Sequence, residues 1–181
     1  MEFSQHMRAV VRFMAKQDFE LGVDLHTLPA NPDVVNALNH VSSEMYKMAR
    51  LLEKMLEFGC NDPRIMRTQL HVEETAEMVE GLAKQSKIDL IDSLADIQFI
   101  TMGTAVTFDM HLEAAHQEVC RSNLTKNVRI PNVNPRCRDK GQHYDPPKLA
   151  RLVGYCQTCE LYPALEGCTR CDKCLAVFGK E

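Results

Sequence analysis

Tryptophan is absent from this 181-residue chain, and aromatic residues make up only 6% of it. A core must therefore come from aliphatic and sulfur-bearing side chains. A hydrophobic share of 45%, rich in Leu, Met and Ala, is enough for one and leans helical. Basic charge is not in excess: the net charge is −4, so bulk electrostatics give no case for nucleic acid as a partner. No apolar run approaches the roughly 18 residues of a membrane span. The opening MEFSQHMRAV also lacks the apolar stretch of a signal peptide, so a soluble, cytoplasmic protein with no membrane partner is expected. Internal repeats and low-complexity tracts are missing, and the length suggests one domain with a small appendage. No Ser–His–Asp or Cys–His arrangement is apparent, which points any hydrolytic chemistry toward direct attack by water.

What the chain does have is carboxylates in helical register. HVEETAEMVEG has no Pro, places its one Gly at the end, and sets Glu73, Glu74 and Glu77 three and four residues apart, on one helix face. After a short spacer, DLIDSLADIQFITMGTA repeats the arrangement with Asp89, Asp92 and Asp96. Two antiparallel helices would thus present up to six carboxylates to one another. Like charges so close oppose folding unless something cationic compensates. Asp96 is the sharpest of them. Ile91, Leu94, Ala95, Ile97, Phe99, Ile100 and Met102 surround it in sequence, so its helix is expected to be central, and a carboxylate there needs a partner or a metal. A solvated helix face is the bland alternative for the glutamates. A donor set of hard oxygens favours Mg²⁺ or Mn²⁺ over zinc, and His71, the one nearby nitrogen ligand, does not overturn that.

EETAE followed by DSLAD resembles the EExxE…ExxD signature of the all-α nucleoside triphosphate pyrophosphohydrolases, the MazG-like and phosphoribosyl-ATP pyrophosphohydrolase-like group. RSNLTK and KGQHYDPPKLARLV are similar to two further segments of that group, so the resemblance runs over roughly residues 66–153. One departure matters: the Glu of ExxD falls at Ser93, which has no carboxylate, and the role passes to Asp92 one residue earlier. The resemblance implies an antiparallel helical bundle, assembled as a homodimer or a dimer of dimers. It implies hydrolysis of a ribo- or deoxynucleoside triphosphate to the monophosphate and pyrophosphate, in control of nucleotide pools. Glu74, Glu77, Asp92 and Asp96 would hold the Mg²⁺ or Mn²⁺, and Glu73 or Glu74 would deprotonate the attacking water. It also makes Asn123, Lys126 and Lys140 substrate contacts, the two lysines on the outer phosphates. Phosphoribosyl-ATP hydrolysis, or a non-catalytic regulatory or adaptor protein on the same frame, are the alternatives.

The remaining elements follow from periodicity and punctuation. Residues 6–16 suit a short amphipathic helix, and 33–58 a long one whose stripe of Val34, Val35, Leu38, Val41, Met45, Met48, Leu51, Leu52 and Met55 reads as core or dimer seam. Gly59 should end it. Asn61 or Asp62 before Pro63 should start the first acidic helix, which runs to about Lys84. Arg64 and Arg67 would either pair with neighbouring acids or touch phosphate. The second acidic helix is expected over 89–107, with Gly103 marking a close approach, and a further helix over 111–126. His116 and Glu118 on that helix are expected at the surface or behind the metal ligands. From Arg121 to Arg151 eight Lys or Arg face only Asp139 and Asp145, a balance that suits either a polyphosphate or a solvated loop.

The tail, residues 154–181, stands apart from the domain at 1–153. YCQTCELYPALEGCTRCDKC carries paired CxxC units, the spacing of a tetrahedral thiolate zinc site, with Cys156, Cys159, Cys168 and Cys171 the simplest set and Cys174 an alternative. Such a closed site would be structural; disulfides, and an iron–sulfur cluster without its usual Cys-Pro partner, are the alternatives. Cys60, Cys120 and Cys137 have no partner spacing and read as plain thiols.

Overall fold

The structure is a computed structural model and describes residues 5–29, 31–128 and 140–155. Among the described residues the regular elements are α-helices with two short 3-10 turns, as the composition leads one to expect. The chain divides into two compact units. One comprises Val23–Asp109, and the other combines Met1–Gly22 with Met110–Glu181. The Cys-rich tail, and with it the expected zinc ligands, lies outside the described residues, as does Cys137.

The Val23–Asp109 unit contains α2 (Pro32–Glu57), α3 (Pro63–Ala83) and α4 (Lys87–Thr107), each opened by a side-chain cap. Asn31 accepts from the N–H groups of Asp33 and Val34, Asp62 from that of Arg64, and Ser86 from that of Asp89. Prolines at the first turn of α2 and α3 fix φ where no N–H is needed. The connections are short. Gly59 leaves α2 in the left-handed region, at φ 87°, and Gln85 turns the chain between α3 and α4 at φ 53°. Neighbours joined this tightly run antiparallel, and α3 packs against both α2 and α4.

The core of this unit is made mostly of small side chains. Ser42 and Ala49 of α2, Gln69, Ala76, Val79, Gly81 and Ala83 of α3, and Ser93, Ile100 and Ala105 of α4 are the buried ones. Gly81 is required by the approach of α4: a Cβ there would stand 3.0 Å from the Leu90 backbone nitrogen. Gly103 makes room for a side chain instead of a helix backbone, because a Cβ would lie 2.9 Å from Nη1 of Arg67. That is where Arg67 goes. Arg64 pairs with Asp62, Nη2 to Oδ2 at 2.5 Å, beside the cap.

Helix α4 departs from expectation. Instead of being central, it leaves Ile88, Ile91, Leu94, Phe99, Met102 and Val106 exposed, Phe99 to 77% and Val106 to 82%. Asp96 is itself exposed, not enclosed by those side chains. The stripe on α2 is likewise uncovered at Val34, Val41, Met48, Leu51 and Met55. Both helices turn small residues toward α3 and large apolar ones away from it. Hydrophobic periodicity reports that a face avoids water, not which surface covers it.

The second unit pairs α1 (Gln5–Lys16) with α5 (Leu112–Asn123). Lys16 donates through Nζ to the carbonyls of Leu124 and Lys126, and the buried Gln17 donates from Nε2 to the Asn127 carbonyl at 3.1 Å. Glu118 is not at the surface, which was one of the two places expected for it. It is 7% exposed and accepts from Nε and Nη2 of Arg121, each at 2.9 Å, and from the Lys148 backbone N–H at 2.8 Å. Arg121 reaches on to Asp145 Oδ2 at 2.6 Å. Asp145 in turn is held through its N–H by Thr125 Oγ1. A buried carboxylate with this many donors ties residues 145–151 to α5. These bonds push the Glu118 carboxyl down to about 2, with Arg121 the first cause and the Lys148 N–H the second.

Candidate active site

Helix α3 carries Glu73, Glu74 and Glu77, and α4 faces it with Asp92 and Asp96. Their proximity shows in their protonation. Burial first, and then the charges of Glu77, Asp96, Glu73 and Asp92, push the Glu74 carboxyl up to about 7. Glu77 is raised as well, by desolvation first and then by Glu73, Asp96, Asp92 and Glu80. Glu74 and the four charges that act on it, Glu73, Glu77, Asp92 and Asp96, make a set of five carboxylates.

One atom stands out. Oε2 of Glu74 is buried and has no hydrogen-bond partner. A buried carboxylate oxygen left without a donor costs about 1–3 kcal/mol or more. It is kept only where something else satisfies it. Its neighbours cannot, being acceptors themselves when ionised. Glu73 is fixed by Gln69, whose Nε2 donates to it at 2.8 Å. Glu80, one turn beyond Glu77, already has partners in Tyr46 and Lys84.

A divalent cation fits this constellation in charge and donor type: all donors are hard oxygens, one is orphaned, and four negative neighbours surround it. Among the described residues, no three His, Cys, Asp or Glu side chains stand close enough together to cage an ion as they lie. Ions of the Mg²⁺ type usually keep several waters and take only one or two carboxylates directly. His71 is not aimed at the carboxylates; its Nε2 meets Thr104 Oγ1 at 3.0 Å. Ser93 is 2% exposed and donates to the Asp89 carbonyl at 2.6 Å, so the position of the missing Glu is buried while Asp92 beside it is exposed.

Asn123 closes α5, and Lys126 lies just beyond it, its ammonium in no ion pair among the described residues. Lys140 is exposed, its Nζ 4.9 Å from the centre of the Tyr144 ring. Cys60 and Cys120 are free thiols as expected; burial raises the Cys120 thiol, and its Sγ lies 3.4 Å from His116 Nε2.

The periodicity of α2 did not single out its polar face. Tyr46 donates to Glu80 Oε2 at 3.1 Å, and burial, that bond and the charges of Glu77 and Glu73 raise its phenol. Tyr46 and Arg50 line two adjoining cavities between α2 and α3, of about 540 and 450 Å³. Their spacing of four residues, opposite the Met stripe, is the signal that would have found them.

No curated protein and no solved structure matches the chain. A family model does: the one described as phosphoribosyl-ATP pyrophosphohydrolase matches residues 49–123. The match begins on α2 and ends at Asn123, so it contains every carboxylate of the set and stops short of Lys126 and Lys140. Its family consists of pyrophosphohydrolases, enzymes that cleave acid anhydrides in nucleotide-like substrates and generally use a divalent metal such as Mg²⁺. That family belongs to the MazG-like all-α NTP pyrophosphohydrolase superfamily, to which residues 49–123 are thus similar.

Proposed function

We propose that this protein hydrolyses a ribo- or deoxynucleoside triphosphate to the monophosphate and pyrophosphate, with Mg²⁺ or Mn²⁺. The observation that carries the reading is the orphaned, buried Oε2 of Glu74 amid Glu73, Glu77, Asp92 and Asp96. Glu74, Glu77, Asp92 and Asp96 would hold the cation. When bound, it supplies positive charge that offsets the charge building on the phosphate oxygens. Glu73, oriented by Gln69, or Glu74 takes the proton of the attacking water at a carboxylate oxygen. Asn123, Lys126 and Lys140 are proposed nucleotide contacts on the strength of RSNLTK and KGQHYDPPK alone. The test is release of pyrophosphate from a panel of ribo- and deoxynucleoside triphosphates in Mg²⁺ or Mn²⁺. Turnover of one or two members is expected, and silence across the panel would reject the reading. Phosphoribosyl-ATP is the second substrate to try, because the description of the matching family names it. The zinc assignment to Cys156, Cys159, Cys168 and Cys171 remains a proposal from spacing, checked by the metal content of the Cys156→Ser, Cys159→Ser double variant.

The uncovered faces of α2 and α4 support a second copy of the chain as partner. So many large apolar side chains on one helix pair are a common mark of an interaction surface. Light scattering should give at least twice the 20.6 kDa chain mass, and Phe99→Lys should shift it toward the monomer; a monomeric wild type would refute the assembly.

A further inference from the structure

The groove between α2 and α3 has more in it than a surface crevice needs. Its two cavities share Tyr46 and Arg50. On α3 they reach from Gln69 and Glu73 at one end to Glu80 at the other, so they bracket the stretch that holds Glu74 and Glu77. On α2 they reach from Asn39 and Ser43 to Glu57. Arg50 lines both cavities, together with Glu73 of α3 in one and Glu80 of α3 in the other.

Arg50 is exposed and makes no ion pair among the described residues, although Glu53, Glu57, Glu73 and Glu80 line the same cavities. Of the other cations nearby, Lys47 pairs with Glu44 at 2.6 Å and Lys84 with Glu80 at 3.0 Å, while Lys54 lines only the second cavity and Arg50 lines both. A groove this acidic repels an anion unless a cation is held ready in it. A guanidinium, planar and two-pronged, is the group best suited to phosphate oxygens. The combined volume suits a nucleotide, since such sites run to some 300–1,000 Å³. The Asn39 end is uncharged apart from Lys47 and offers amide and hydroxyl groups that match a base or sugar.

We propose that the α2–α3 groove is the nucleotide subsite of the active site, with Arg50 contacting the phosphate chain and the Asn39–Ser43 end taking the nucleoside. This rests on the pyrophosphohydrolase reading and assigns it residues that neither the carboxylate motif nor the lysine motifs contain. The purely structural alternative is that Arg50 balances the surrounding glutamates.

The experiment is calorimetric binding of α,β-methylene nucleoside triphosphates (adenine, guanine, cytosine and uracil) and of inorganic triphosphate, in Mg²⁺, to the full chain. Arg50→Ala should weaken both kinds of probe about tenfold or more at an unchanged melting temperature, with Arg50→Lys recovering part of the loss. Asn39→Ala should weaken only the nucleoside-bearing probes. Arg64→Ala, which removes the same charge outside the groove, should change neither. Equal affinity of Arg50→Ala and wild type, or a lowered melting temperature with affinity intact, overturns the subsite and leaves the hydrolase reading standing. A wild type that binds no probe overturns both.

Discussion

Asp96→Asn is expected to lower pyrophosphate release by about a hundredfold to a thousandfold, the scale of a lost charge-stabilising metal contact. The same change should leave the metal-free protein no less stable, and even raise its melting temperature in chelator. Both effects have one cause. Asp96 is among the charges that hold Glu74 up at about 7 and raise Glu77, so the folded apo protein bears the strain of the crowd. Removing one charge relieves it, yet also removes an oxygen and a charge from the proposed cation site. Loss of activity together with gained or unchanged stability is the signature of a site that functions at the expense of folding. Lost stability with normal turnover would mean that Asp96 holds the helix pair together and does no chemistry.

Glu118→Ala should be the most destabilising single change in the unit of α1 and α5, by about 2–3 kcal/mol in a urea melt. The upper range for a broken buried pair is reduced because Arg121 is partly exposed and keeps Asp145. Glu118 binds its donors as a carboxylate, and its folded pKa, about 2, lies below the ordinary value of 4.5. The unfolded chain therefore takes up the proton first as pH falls. The stability Glu118 contributes is fully present above about pH 4.5 and drains away as pH falls toward about 2. In Glu118→Ala that part of the acid sensitivity should be gone, so the two stability curves converge at low pH. Curves that stay parallel from pH 7 to 2 would refute the role assigned to the Glu118–Arg121 pair.

The helices of the Val23–Asp109 unit were legible because their ends carry local chemistry. Asn31–Pro32, Asp62–Pro63 and Ser86 announce their starts within two or three residues, and Gly59 announces a stop. The carboxylates were legible for the same reason, since spacings of three and four decide which side chains share a face. What was not legible depends on surfaces that meet at long range. The apolar sequence around Asp96 reads alike for a core helix and for a helix whose face is uncovered in one chain. Glu118 reads as a surface residue with an Arg three positions on; its burial depends on a backbone N–H thirty residues later, at Lys148. Nothing in the local sequence marks Tyr46 or Arg50, because the Tyr46 partner, Glu80, and the rest of the cavity lining lie across the groove on α3. Gly103, marked as a close approach, meets the Arg67 side chain, which no local rule distinguishes from a crossing helix.

The measurement that tests the central claim most directly is pyrophosphate release from the nucleoside triphosphate panel in Mn²⁺, with wild type and Asp96→Asn assayed side by side. Wild type should turn over one or two members, and the variant, still fully folded, none at a comparable rate. Equal turnover by the two proteins would place the chemistry somewhere other than the five carboxylates of α3 and α4.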